Sequence, residues 1–301
     1  MKQKKLSIPA KILREIKRPF RRKKRPLSFD AFRPDLQWQR NAMLMVLSKL
    51  TGESMLRVEG TIDEYHFWES VVISCMSPNP DVASLFPQPD VASFHLRLQH
   101  DAEVVEPYSS ILDKLSQKFP IQDITMLDVG AGPLTGINKL YKGVRFNISA
   151  VDALAEYYDN ILEKYGVEPP IRTQACKGEE IAQHFSKESF HWINSSNALD
   201  HMEFPVECIK GMLPLLKPGG IISLFHYVDV GVSVGYDGFH QWNLHLENND
   251  FCISGRNGKN HTNITKMLLP DYSVNASMID WLDGNNEERS CLKVVILHSK
   301  H

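Results

Sequence analysis

Ile124-Thr-Met-Leu-Asp128-Val-Gly130-Ala-Gly132-Pro-Leu-Thr-Gly136 is the stretch on which the reading of this chain turns. Its first half is an apolar run of strand type ending at Asp128-Val129. Its second half is a glycine turn, Gly130-Ala131-Gly132, and residues 137–141 after it read as a helix start. Glycine admits positive φ and lets the backbone come close to a ligand, and a helix N-terminus offers free N–H groups. Strand, turn and helix start together make a nucleotide cradle. Such turns serve nicotinamide, flavin and S-adenosylmethionine alike, so the choice among them falls to the residues downstream.

From residue 124 onward strands and helices alternate, the pattern of an α/β domain. Strands are expected at 124–129, 146–152, 171–176, 190–194 and 220–227. Helices are expected at 155–165, stopped by Gly166, at 179–185, and at 205–216, closed by Lys217-Pro218-Gly219-Gly220. A Gly-rich insertion with aromatics runs to Gly258, and a helix follows at 262–269. Two last strands, 273–279 and 291–298, flank Asp283-Gly284-Asn285-Asn286, a spacing that suits an antiparallel pair. Upstream, helices are expected at 38–50, 61–75 and 108–119. Thr61 with Glu64 three residues later reads as a capping box, and Pro78, Pro80, Pro87 and Pro89 force a loop. The chain thus divides into a tail (1–26), a helical cap region (27–120) whose aromatics read as core, and an α/β domain (121–301).

The 301 residues, 43% of them hydrophobic, suffice for a globular core. The formal charge of -2 hides an asymmetry. Residues 1–26 hold twelve Lys and Arg against one acid, Glu15, which leaves the rest with 22 basic and 35 acidic residues, a formal -13. The tail suits an anionic membrane surface, where each cation adds about 1 kcal/mol, or a solvated arm. The acidic body would repel the phosphates of a nucleic acid, so none is expected as a partner. No apolar run approaches the roughly 18 residues of a membrane span, and the first residues lack a secretory apolar region. The five cysteines, Cys75, Cys176, Cys208, Cys252 and Cys291, are scattered with no C-x-x-C pair. Neither a zinc knuckle nor a disulfide framework is indicated, and a cytoplasmic setting, with the tail on the inner membrane face, is expected. Asn147 and Asn275 match glycan-acceptor triplets but fall in expected strands.

Asp152 ends the second strand, twenty residues beyond Gly132, where a carboxylate can accept both hydroxyls of an adenosine ribose. Glu179 follows the third strand and could reach an adenine edge or serve as a helix N-terminal acid. Asn194-Ser-Ser-Asn197-Ala-Leu-Asp-His201 lies at the carboxyl end of the fourth strand, where open α/β sheets bind ligands. With Leu127-Asp-Val-Gly-Ala-Gly-Pro133, Val151-Asp152 and Leu216-Lys-Pro-Gly-Gly220, this stretch resembles the class I S-adenosylmethionine-dependent methyltransferases over about 124–298. The chain departs from that family at Leu134, where a third glycine is frequent. Two further motifs, Gly238-Phe-His-Gln-Trp-Asn243 and Glu64-Tyr-His-Phe-Trp68, look like those of methyltransferases of bacterial surface-polysaccharide biosynthesis.

The resemblance implies a Rossmann-like, mostly parallel seven-stranded sheet with an antiparallel last strand, and S-adenosyl-L-methionine as cofactor. It places Asp128, Gly130, Ala131, Gly132, Pro133, Asp152, Ala153, Glu179, Asn197, Ala198 and Leu199 around that cofactor. The acceptor it implies is a glycan or glycolipid precursor, with a small-molecule hydroxyl or carboxyl group as the alternative, or a non-catalytic binding module on the same fold. A hydroxyl needs a base near neutral pKa within about 3 Å. His201 and His240 are the candidates, with Asp200 to orient a histidine or bind a substrate hydroxyl; His226 and His245 are weaker ones. Trp242 could stack on a sugar or sit by the sulfonium. No helical ligand spacing supports a metal at Asp200, His201 and His240, and none is expected.

Overall fold

A computed structural model describes residues 34–77, 89–282 and 288–299. The basic tail, the prolines at 78, 80 and 87, and the turn at 283–286 lie outside the described residues. The chain forms two compact units, Met1–Leu50 and Thr51–His301. In the first, the described part belongs to helix α1 (Pro34–Thr51), which begins four residues before the expected 38–50 helix.

The second unit is built on one sheet. Its strands are β1 (Thr125–Val129), β4 (Asn147–Asp152), β5 (Thr173–Ala175), β6 (Phe190–Ser196), β7 (Leu216–Tyr227), β11 (Tyr272–Leu282) and β12 (Glu288–His298). They lie in the order β11-β12-β7-β6-β1-β4-β5. Pairing is parallel from β7 to β5, and β12 runs antiparallel to both β7 and β11. This is the Rossmann-like methyltransferase arrangement that the motifs imply. A short hairpin, β2 (Leu140–Tyr141) and β3 (Val144–Arg145), follows the glycine turn. A separate three-stranded sheet, β8 (Trp242–Glu247), β9 (Asp250–Gly255) and β10 (Thr262–Asn263), fills the insertion after β7.

Both faces of the large sheet are covered, as a mostly parallel sheet requires. One core packs Leu127, Val129, Ile193 and Ile222 against α7 (Pro205–Met212), α9 (Ile264–Leu268) and the β8–β9 hairpin. The other packs Met126, Trp192 and Val295 against α4 (Ser109–Leu115). A third cluster joins α2 (Met55–Met76), α3 (Pro89–Leu98) and α5 (Ala155–Tyr165) through Val72, Phe94, Leu134 and Tyr158. Helix α5 matches its expected bounds, and Gly166 closes it in the left-handed conformation at φ 67°.

Four local expectations are corrected. Residues 137–141 are not helical. Ile137 N–H donates to Thr135 Oγ1, the Lys139 and Leu140 amides donate to Ala102 O, and Asn138 Nδ2 donates to Glu103 O. The donors a helix would use are spent on the neighbouring 97–104 strap, and Lys142-Gly143, both at positive φ, turns the β2–β3 hairpin. Thr61 is not a cap: α2 starts two turns earlier at Ser54, whose Oγ accepts from Arg57 N–H, and Thr61 Oγ1 donates to Arg57 O. Pro89 opens α3 instead of extending the loop, since proline lacks only an amide that a first helical residue does not need. Lys217 to Gly220 belongs to β7, where the register shifts between Phe190 and Trp192; a Cβ on Gly220 would meet His191 O at 2.8 Å.

Helix α2 meets the site loops most tightly at Gly60. A Cβ on Gly60 would stand 2.6 Å from Phe239 Cδ1. Gly60→Val should therefore destabilise by about 1–3 kcal/mol and lower the melting temperature by roughly 2–10 °C. An unchanged thermal melt would show that this contact does not hold α2 in place.

Candidate active site

The expected site residues lie beyond the carboxyl ends of β1, β4, β5 and β6, with His240 in the insertion after β7. At the end of β1 the chain turns through Gly130 (φ 74°) and Gly132 (φ 65°), conformations that favour glycine. The Gly130 and Ala131 amides donate to Val151 O, at 2.9 and 3.1 Å, which pins the turn to β4. A Cβ on Gly130 would lie 2.3 Å from the Ala198 Cβ, so the turn and the loop after β6 meet in contact. A Cβ on Gly132 would lie 3.1 Å from the Trp68 ring.

Asp128 points inward. Its Oδ2 accepts from Thr135 Oγ1 (2.7 Å) and its Oδ1 from Asn194 Nδ2 (2.9 Å). Burial raises its pKa, and the Asn194 and Thr135 donors oppose that only in part. Asp152 Oδ2 accepts from Gly132 N–H (3.0 Å) and Oδ1 from Leu154 N–H (2.8 Å). Burial pushes its pKa up to about 6 against those two amides. Each Asp152 oxygen accepts one of these bonds, so a ribose diol can use the remaining lone pairs. Ala153 is exposed beside it and Pro133 is buried behind the turn. The positive-φ turn and the carboxylate at the end of β4 fit the amino-acid and ribose parts of S-adenosylmethionine.

The other cofactor candidates have protein partners. Glu179 Oε1 accepts from Phe204 N–H (2.9 Å), joining the turn before α6 (Ile181–His184) to the loop after β6. Asn197, at φ 47°, accepts from Tyr227 N–H through Oδ1 (3.1 Å). Leu199 is fully buried in the sheet core, so its side chain supports the loop from behind.

Asp200, His201 and His240 come together. His240 Nδ1 is 2.7 Å from Asp200 Oδ2 and 2.9 Å from His201 Nε2, and His201 Nε2 is 3.5 Å from the same carboxylate oxygen. Glu64 Oε1, from α2, stands 3.4 Å from His201 Nδ1. A proton on His240 Nδ1 donates to Asp200 and leaves Nε2 as the basic nitrogen of that ring. The hydrogen bond to Asp200 raises the His240 pKa, burial opposes it, and Glu64 and Asp237 add to it. Burial alone would raise the Asp200 carboxyl, but His201, His240 and His226 outweigh it and hold the pKa below the usual range. The three donor atoms lie within 4.8 Å of one another, a compactness that sequence spacing did not suggest and that a dication would also need.

His226 is a buried strand residue that neighbours this set without hydrogen-bonding to it. Burial lowers its pKa to about 4, and the two ring nitrogens make no hydrogen bond among the described residues. Trp242 packs on the sheet core and donates Nε1–H to Met202 O (2.9 Å), so it supports the insertion and does not face a ligand. The aromatic beside the glycine turn is Trp68. Trp68 is among the cap aromatics expected as core and Glu64 is the expected capping-box acid, yet their four-residue spacing puts them on one face of α2.

Residues 127–224 match a protein family described as a methyltransferase domain. No curated protein matches the chain. Similar solved structures include the N-methyltransferase NodS of Bradyrhizobium japonicum in complex with S-adenosyl-L-homocysteine. It is 13% identical over 76% of this chain and 97% of that one, with a TM-score of 0.40. Another is the 1,6-didemethyltoxoflavin-N1-methyltransferase of Burkholderia thailandensis, 14% identical over 65% and 78%, TM-score 0.37. A third is the YcgJ protein of Bacillus subtilis, 15% identical over 63% and 96%, TM-score 0.38.

Because the His240 pKa is raised in the folded chain, its bond to Asp200 stabilises the fold fully below the ordinary value of 6.5 and is lost as pH climbs through the raised value. Asp200→Asn should lower the midpoint at which the His240 ring titrates, followed by NMR of labelled imidazoles. A midpoint that stays put would remove Asp200 as the partner of His240.

Proposed function

We propose that this chain, an S-adenosylmethionine-dependent methyltransferase through its 127–224 domain, methylates a hydroxyl oxygen, with a glycan or glycolipid precursor as the acceptor. The observation that carries this reading is the hydrogen-bonded set of Asp200, His240 and His201, with Glu64 3.4 Å from His201, near the glycine turn. Trp68 touches the turn and Glu64 touches His201, and four residues of helix rise by about 6 Å. A histidine pair tied through Glu64 to the helix that carries Trp68 suits an acceptor that must lose a proton.

S-adenosylmethionine supplies an electrophilic methyl group and leaves as the neutral thioether S-adenosylhomocysteine. The turn at Gly130–Gly132 would seat its amino-acid part, Asp152 its ribose, and Trp68 would offer a ring near the sulfonium. His240 Nε2 would take the acceptor hydroxyl's proton, leaving an oxygen able to accept the methyl group that the cofactor supplies. Asp200 holds the Nδ1 proton and stabilises the imidazolium that forms. His201 and Glu64 fix the pair from the other side. Orientation of this kind can supply about 7–11 kcal/mol, and a placed base a further 10²–10⁴-fold.

The glycan acceptor is supported by the two short motifs that resemble polysaccharide-linked methyltransferases. They lie far apart in sequence yet converge on one ring, Glu64 at His201 Nδ1 and His240 at His201 Nε2. Residues 1–26 would hold the protein on an anionic membrane face where lipid-linked glycans are assembled.

Incubation with S-adenosylmethionine and a bacterial glycan fraction should yield S-adenosylhomocysteine. His240→Ala should cut that turnover about 100-fold or more while leaving cofactor affinity within a few-fold. Intact turnover in the variant would move the base elsewhere, and turnover only with small hydroxylated compounds would replace the glycan. Deleting residues 1–26 should release the protein from anionic liposomes without moving its melting point. A chain that never binds such liposomes at low salt has no membrane tail.

A further inference from the structure

We propose that the three-stranded sheet β8–β9–β10 carries a structural metal site in which His245, Glu247, Cys252 and His261 hold one tetrahedral dication of the zinc class. One donor atom from each of the four lies within 4.8 Å of all the others. The register explains why. His245 pairs with Cys252 across the hairpin, and Glu247 is two residues along the same strand, so all three share a face. Leu244, Leu246, Phe251 and Ile253 occupy the opposite face, against the sheet core. Asn263 pairs with Cys252, and alternation along β10 brings the preceding His261 back to the Cys252 face.

The contacts within the cluster already converge. His261 Nε2 is 3.0 Å from Glu247 Oε2, and the Cys252 Sγ is 3.8 Å from the same oxygen. The rings of His245 and His261 have centroids 6.1 Å apart. Bonds of about 2.0–2.3 Å put tetrahedral zinc donors roughly 3.3–3.8 Å from one another. Closing from 4.8 Å needs a shift of roughly an ångström, and the Glu247 and His261 side chains, about half exposed, are free to rotate inward.

The donor set selects the ion. One thiolate, two imidazoles and a carboxylate suit a borderline-soft cation with four positions, not the oxygen-rich shells of calcium or magnesium. Asp229 Oδ1, 3.3 Å from His245 Nδ1, is the kind of outer carboxylate that metal-bound imidazoles face. Binding would displace the Cys252 thiol proton to solvent and cross-link the hairpin to the loop before β10. The same sheet carries Trp242, which bonds to Met202 O in the loop after β6.

The full chain, stripped with a chelator, is titrated with Zn(II) and separately with Co(II). One equivalent of Zn(II) should bind and raise the melting temperature. The Co(II) form should show a near-ultraviolet thiolate charge-transfer band. Cys252→Ser should abolish that band. His261→Ala, a half-exposed change that leaves the core intact, should weaken Zn(II) binding about 100-fold. His240→Ala should leave both signals unchanged, because that residue belongs to the other cluster. Co(II) binding without the thiolate band, Zn(II) affinity unaltered in His261→Ala, or loss of the signals in His240→Ala would each overturn the proposal, as would no Zn(II) binding at all.

Discussion

A carboxylate taken out of water holds the carboxyl ends of three strands together. Asp128 is 4% exposed, and its oxygens accept from Thr135 and Asn194. Asn194 Oδ1 in turn accepts from Ser223 Oγ, which accepts from Trp192 Nε1, so one chain of bonds links β1, β6 and β7. Moving a charge into the interior costs several kcal/mol unless its lone pairs are met. The donors offset part of that cost, and the raised pKa shows that burial keeps the upper hand. The arrangement is therefore sensitive to geometry: strands that slide lose the donors while the group stays buried. Each tied strand launches a loop of the site, the glycine turn from β1, the His201 loop from β6 and the insertion from β7.

Small residues set how close those loops come. Ala198 sits against Gly130 and Met202 against Gly178, where a Cβ would lie 2.8 Å from Met202 Sδ. The glycines of the turn thus serve two demands, a positive φ that ordinary residues avoid and a contact with the next loop that leaves no room for a side chain. That second demand comes from the protein itself, which is why glycine spacing in a sequence does not by itself identify a ligand.

Much of the sheet was legible because its strands are continuous apolar runs between turn residues, and α5 because it carries a capping glycine. The helix expected at 137–141 was not, because its apolar spacing is real but its amides answer to a strap that starts forty residues upstream. The hairpin β8–β9 was hidden by Gly and Asn content that reads as loop; Asn248 and Asn249, at positive φ, make its turn. At the site, His201, His240 and Asp200 were legible as residues beyond strand ends. Their mutual hydrogen bonds were not, since 39 residues separate the two rings and tertiary bonds close that distance, Gln241 N–H to Asp200 O and Trp242 Nε1–H to Met202 O. Glu64 and Trp68 were legible as a motif but not as neighbours of the site, because a helix outside the α/β repeat shows which residues share a face, not what the face meets.

That helix links two parts of the site that sequence treats separately. Trp68 rests on the glycine turn and Glu64 reaches His201, with one helical turn between them. A helix is stiff over so short a length, so a group that enters beside Gly132 and moves the Trp68 ring must either rotate that side chain alone or shift α2. If α2 shifts, Glu64 moves relative to His201, and the proton shared by His201, His240 and Asp200 is redistributed. Trp68 also packs edge-on to Tyr158 of α5 and lies under Arg97, so its ring has little freedom to rotate alone. Helix α2 thus fixes the spacing between the aromatic at the glycine turn and the carboxylate at His201, so a shift of the helix cannot move one without the other.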